Sequence, residues 1–220
     1  MIEAVVLDLD GLIIDSEPLW KESEKIAFKK VGIELTTEMC METTGLDTTD
    51  VVKYWYRKFP WQNTPHEEVK DDIEQTIMNL ILKKGQPKEG LHKIIDFFEK
   101  KDVPLAVASS SILSIIEVVL KKFAIKDKFT VIHSSEKELL GKPHPAVYIT
   151  TANKLAIDPA HCLAFEDSFY GLLSAKSARY KAVAVPDENE YDDPRLCFAD
   201  LKLKSLRDFN DAHFNLLNAR

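Results

Sequence analysis

The chain has 220 residues, a formal net charge of -7, 45% hydrophobic and 30% charged residues, and only 7 Gly and 10 Pro. A chain of this length buries roughly 70% of its unfolded surface, enough for one large domain or two small ones, and its composition excludes collagen-like, low-complexity and mainly disordered classes. The acidic balance opposes attraction to phosphate backbones and anionic lipid, so neither nucleic acid nor a membrane is an expected partner.

The N-terminal residues enter a strand-like run directly, and no apolar stretch approaches the 18 or so residues of a membrane span, so the cytoplasm is the expected location. Cys40, Cys162 and Cys197 are odd in number and widely spaced. They fit neither a disulfide framework nor a zinc site, and are expected to be reduced and mostly buried.

In chain order, short apolar runs rich in β-branched residues fall at 4–7, 105–108, 131–133, 162–165 and 182–185, too short for helices and bounded by turn or acidic residues. They read as buried parallel strands. Helix-period segments lie between them: Leu91, Ile94, Ile95 and Phe98; Ile112, Ile115, Ile116, Val119 and Leu120; residues 147–155; and residues 172–178. Alternation of the two predicts an α/β fold with a doubly wound parallel sheet.

Residues 16–85 break the alternation and read as helix after helix, an all-helical domain inserted after the first strand; residues 1–15 and 86–220 form the α/β core domain. Thr64-Pro65-His66-Glu67 predicts a capping box with proline in the first turn of the last inserted helix, and Gly85 is placed to end it. Val69, Ile73, Ile77 and Ile81 step along one face of that helix. The preceding stripe of Val51, Val52, Trp55, Tyr56 and Phe59 reads as bundle core rather than as an aromatic ligand box.

Polar residues follow the strands where an open α/β sheet binds ligands: Asp8 and Asp10, Ser109 to Ser111, and Glu166 with Asp167. Lys142, within Gly141-Lys142-Pro143-His144-Pro145, adds a cation on a proline-restricted turn. Taken singly, each fits an ordinary turn or helix cap. If they converge, four carboxylates and one ammonium leave an excess of negative charge that demands a cation, and hard oxygen ligands beside a phosphate point to Mg²⁺ and phosphoryl chemistry.

In order, Asp8-Leu9-Asp10-Gly11, Ser109, Gly141-Lys142-Pro143 and Phe165-Glu166-Asp167-Ser168 resemble the four signature motifs of the haloacid dehalogenase-like (HAD) hydrolase superfamily. The resemblance covers essentially the whole chain. The run from Leu9 to Pro18 places it near the β-phosphoglucomutase-like members with a small helical cap. Ser16 to Trp20, Gly45 and Leu46, Tyr54 to Tyr56, Lys142 to Tyr148 and Asp193 to Arg195 look most like the bacterial 2-deoxyglucose-6-phosphate and hexitol phosphatases.

The resemblance implies a Mg²⁺-dependent phosphatase in which Asp8 attacks phosphorus to form an aspartyl-phosphate and Asp10 serves first as general acid, then as general base. It implies that Ser109, the Ser110 backbone and Lys142 hold the phosphoryl oxygens. Mg²⁺ would be held by Asp8, the Asp10 backbone carbonyl and Asp167, with Glu166 as a further direct or water-mediated contact. The partner would be a small phosphorylated sugar or polyol, selected by a cap that closes over a monomeric core. Two departures bear on this. Trp20 stands where mutase members carry histidine, and Asp47 stands where many caps carry arginine; both disfavour β-phosphoglucomutase, the first alternative. A phosphoacceptor signalling module is the second, but such a domain is smaller and lacks a cap. A 2-haloacid dehalogenase has no use for the acid/base at Asp10.

Overall fold

The structure is a computed structural model describing residues 1–43 and 45–219. Its strands and α-helices, in chain order, are β1 (Ala4–Leu7), α1 (Glu17–Lys30), α2 (Thr37–Met41), α3 (Thr48–Lys58), α4 (His66–Lys84), α5 (Leu91–Glu99), β2 (Leu105–Ser109), α6 (Leu113–Lys122), β3 (Phe129–Ser134), α7 (Ala146–Leu155), β4 (Cys162–Glu166), α8 (Phe169–Ser177), β5 (Lys181–Ala184), β6 (Leu201–Lys202) and α9 (Asp211–Ala219). Among the described residues no helix is long and apolar enough to cross a membrane.

The chain divides into two compact units, one of residues 1–15 and 87–219 and one of residues 16–86 without 44. The first contains a six-stranded parallel sheet in the order β3-β2-β1-β4-β5-β6. This is the doubly wound arrangement expected from the alternating runs. Every residue of β1, β2 and β4 is buried, which explains why these strands read as unbroken apolar runs rather than alternating ones. Val5 aligns with Leu105 on one side and Leu163 on the other.

From β1 the chain winds outward through β2 to β3, then crosses back to place β4 on the opposite flank of β1. The connections that follow β1 and β4 thus lead to opposite flanks of the sheet, which makes the carboxyl edge beside β1 its switch point.

β2 and β4 each run one residue beyond the predicted ends, to Ser109 and Glu166, so these two side chains issue from strand ends rather than from loops. β3 is longer than its apolar segment, and β5 begins and ends one residue earlier than predicted. β6 and α9 carry no periodic signal and were not foreseen in the sequence.

The second unit is all-helical, α1 to α4, around Phe28, Val51, Val52, Trp55, Trp61, Val69 and Ile73. Phe28 and Tyr56 meet Trp61 edge-on at 5.9 and 4.8 Å between centroids. Two expectations need correction in this region. The capping box does not form: α4 starts at His66 with Pro65 as N-cap and no side-chain cap bond, and the Thr64 carbonyl is instead taken by the Trp61 indole N–H. Phe59, expected in the core, is 46% exposed and lies stacked on Trp55. The unit ends at Gln86, after which Pro87 pairs with Ile14 in an antiparallel bridge and the Lys88 N–H bonds the Ile13 carbonyl. Cys40 and Cys162 are buried thiols, whereas Cys197 is exposed.

Candidate active site

Asp8 is the first residue past β1, yet its N–H still donates to the Phe165 carbonyl at 3.1 Å, so it stays registered against β4. The chain then tightens: the Leu9 carbonyl accepts from both Ile13 and Ile14, and Gly11 adopts φ +71°. A Cβ at Gly11 would lie 1.9 Å from Asp167 Oδ2, so only glycine allows the loop after β1 to pass this close to the loop after β4.

Lys142 reaches in from the segment between β3 and α7 and joins three strand ends at once. Its ammonium donates to Asp8 Oδ1 at 2.7 Å, to Glu166 Oε1 at 2.6 Å and to the Ala108 carbonyl at 3.1 Å. That accounts for all three ammonium protons. Glu166 is fully buried; its Oε1 also accepts from the Tyr148 hydroxyl, while Oε2 has no hydrogen-bond partner among the described residues and packs where a Cβ at Gly171 would stand, 2.0 Å away.

On the β2 side, Ser109 Oγ accepts from the Ser111 N–H at 3.0 Å, and Ser111 Oγ donates to Asp10 Oδ2 at 2.6 Å. Ser134 Oγ in turn holds the Ser111 carbonyl at 2.7 Å. Ser110, between the two buried serines, is exposed.

Asp8, Glu166 and Asp167 each offer a carboxylate oxygen within 4.8 Å of the others. Burial pushes Asp8 up to about 7; Lys142 opposes the rise, and Glu166 and Asp10 add to it. Burial, then Asp8 and Glu166, hold Asp167 well above the usual carboxylate range. Burial lowers Lys142, but Asp8 and Glu166 outweigh it and raise the ammonium above its ordinary value, so it stays charged. One ammonium against three close carboxylates leaves uncompensated negative charge. An all-oxygen donor set with an unpartnered buried oxygen fits a hard divalent cation such as Mg²⁺.

Asp8, Asp10, Ser109, Ser110, Lys142, Glu166 and Asp167 lie at or beside this carboxyl edge, but their arrangement differs in part from expectation. The Asp10 carboxylate stands outside the three-carboxylate cluster and on Ser111, and Glu166 is engaged by Lys142 and Tyr148. Sequence reasoning named Ser111 among the polar residues after β2 but gave it no role, and gave none to Tyr148. The alternation Ser109, Ser111 at a strand end is a faint signal for the first, since both side chains then face the same side. For Tyr148 there is none, because its hydroxyl returns to β4 only through the packing of α7.

Fold and site together define an α/β enzyme with a lysine-paired aspartate at the switch point of a doubly wound sheet. The model of the haloacid dehalogenase-like hydrolases matches residues 5–185. Hexitol phosphatase B of Escherichia coli (strain K12) is 35% identical over 206 residues, 93% of each chain. CbbY from Rhodobacter sphaeroides in complex with phosphate shares the fold at a TM-score of 0.86 and 22% identity, covering 94% of this chain and 96% of that one. β-Phosphoglucomutase from Clostridium difficile does so at 0.84 and 22%, covering 100% and 98%. The chain belongs to the haloacid dehalogenase-like hydrolase family, and it is an enzyme of that family, a phosphoric monoester hydrolase.

Proposed function

We propose that the enzyme hydrolyses small sugar or polyol monophosphates, of the 2-deoxyglucose 6-phosphate or hexitol phosphate type, through an aspartyl-phosphate on Asp8. The observation that carries the reading is the Asp8 carboxylate at the end of β1, gripped by Lys142 on one oxygen and flanked by Glu166 and Asp167. The similarity to hexitol phosphatase B supports the substrate class.

In this reading Asp8 attacks the substrate phosphorus while Asp10, oriented by Ser111, protonates the leaving alkoxide oxygen. Asp10 then takes a proton from the water that cleaves the acyl phosphate, which returns Asp8 as a carboxylate and releases inorganic phosphate. Ser109, the Ser110 backbone and Lys142 bind the phosphoryl oxygens, and Lys142 compensates charge as it develops on them. Asp8, Asp167, Glu166 and the Asp10 carbonyl would hold Mg²⁺, which when bound screens the carboxylates from the incoming phosphoryl oxygens. The helical unit acts as a cap and chooses the substrate.

The test is phosphate release from 2-deoxyglucose 6-phosphate, sorbitol and mannitol phosphates and β-glucose 1-phosphate, with Mg²⁺ and with EDTA. Metal-dependent release from a hexose or hexitol phosphate is the expected result. Conversion of β-glucose 1-phosphate to the 6-phosphate without release would establish a mutase instead.

A further inference from the structure

We propose that Glu138 is a positioning residue, which acts through His133 and Lys154 to hold the segment that delivers Lys142. This rests on the reading of Lys142 as a phosphoryl-binding group. Lys142 must present its ammonium to three strand ends, but the chain just before it has little to hold it by burial: Leu139 is 96% exposed and Leu140 is 53% exposed. Apolar packing does not fix this stretch, so polar bonds must.

Those bonds converge on His133. It is buried near the end of β3, opposite Ala108 of β2, whose carbonyl takes one of the Lys142 protons. Lys154 Nζ, from α7, lies 2.8 Å from His133 Nδ1, and Glu138 Oε1 lies 2.6 Å from Nε2. An ammonium can only donate, so Nδ1 is the acceptor and the ring proton sits on Nε2, where it is given to the carboxylate. Glu138 also accepts from Thr150 of α7, and its N–H is tied to the Ser135 carbonyl at 2.9 Å.

Lys154, His133 and Glu138 thus form one directional chain of charge-assisted bonds from α7 across β3 to the segment four residues before Lys142. The two anchors of the segment are Glu138 at its start and Lys142 at its end. Without the first, the tether of Lys142 lengthens and its ammonium samples more positions, so phosphate is held less well.

Glu138→Ala should lower kcat/KM for the phosphate monoester about ten- to hundredfold. It should weaken competitive inhibition by inorganic phosphate in parallel and speed amide hydrogen exchange over residues 138–142. Glu138→Gln, which keeps an acceptor for the Nε2 proton, should recover most of the activity and protection. Lys154→Met, which cuts the other end of the chain, should shift the same readouts in the same direction if Glu138→Ala fails to fold. Wild-type kcat/KM and exchange in both Glu138→Ala and Lys154→Met would overturn the proposal, as would an equal loss in Glu138→Ala and Glu138→Gln. Lys142→Ala is the control: full activity there would remove Lys142 from phosphate binding, a failure separable from the exchange measurement, which needs no substrate.

Discussion

Asp8 illustrates how much a single residue inherits from its place in the sheet. As the first residue after a buried strand it loses solvent, which raises its carboxyl to about 7 although the Lys142 ammonium opposes the rise. Asp8→Asn should reduce phosphate release by at least about 10³-fold, since no other carboxylate replaces a lost nucleophile. Thermal melting should show no loss of stability, because the substitution removes a buried charge. Retained turnover would exclude Asp8. Ser111→Ala tests the orientation of Asp10: kcat should fall about tenfold with little change in KM, as expected when a general acid is misaimed rather than removed. An increase in KM alone would place Ser111 in substrate binding instead. Asp8, Asp10, Ser109, Glu166 and Asp167 could be picked out as candidates because strand ends of α/β sheets collect polar groups, and Lys142 because it is the cation of a proline-restricted turn. The bonds of Ser111 to Asp10 and of Tyr148 to Glu166 were not legible, because they depend on tertiary distances that local spacing does not encode.

At the scale of elements, the helical unit departs most from its sequence pattern. Asp47, which stands where many caps carry arginine, is the N-cap of α3, with Oδ1 accepting from the Asp50 N–H at 3.0 Å. Asp47→Ala should therefore destabilise the unit by about 1 kcal/mol while Asp47→Asn leaves it nearly unchanged, measured by denaturant unfolding. All three tryptophans, Trp20, Trp55 and Trp61, lie in this unit, so their fluorescence reports its unfolding selectively.

The same probe reads a pH effect. Burial raises Glu24 in α1 from 4.5 to about 7, with hydrogen bonds from Cys40 and Thr43 offsetting part of the rise. Between those values the folded unit holds a proton that the unfolded chain releases. Its stability should consequently fall as pH rises from about 4.5 to about 7, by a total on the order of 2–3 kcal/mol. Glu24→Gln should flatten that slope; an unchanged slope would assign it to other groups. The helices themselves were readable from their periodicity, as with Val69, Ile73, Ile77 and Ile81, all buried. Their ends were less so: at Thr64 a cap motif was present, but its carbonyl is taken by Trp61 and the helix starts one residue later. β6 is two residues long at a sheet edge, and α9 buries only Leu217 fully, so neither leaves a pattern for periodicity to find.

For the whole molecule, the strand order decides where chemistry can occur. β1 sits in the middle of the sheet with neighbours reached by windings in opposite directions, and the groups from β1, β2, β4 and the segment before α7 meet only there. The sequence predicted such a sheet from alternating runs, but the order of its strands follows from crossover handedness and packing rather than from any one run. The claim that this meeting point performs two-step phosphoryl transfer is tested most directly by acid-quench mass spectrometry during turnover of a hexitol phosphate with Mg²⁺. In Asp10→Asn, which lacks the base for the second step, the peptide containing Asp8 should gain the mass of one phosphoryl group and retain it longer than the wild type does. Turnover with no phosphorylated Asp8 peptide in either protein, or a phosphoryl group on a different residue, would contradict the account.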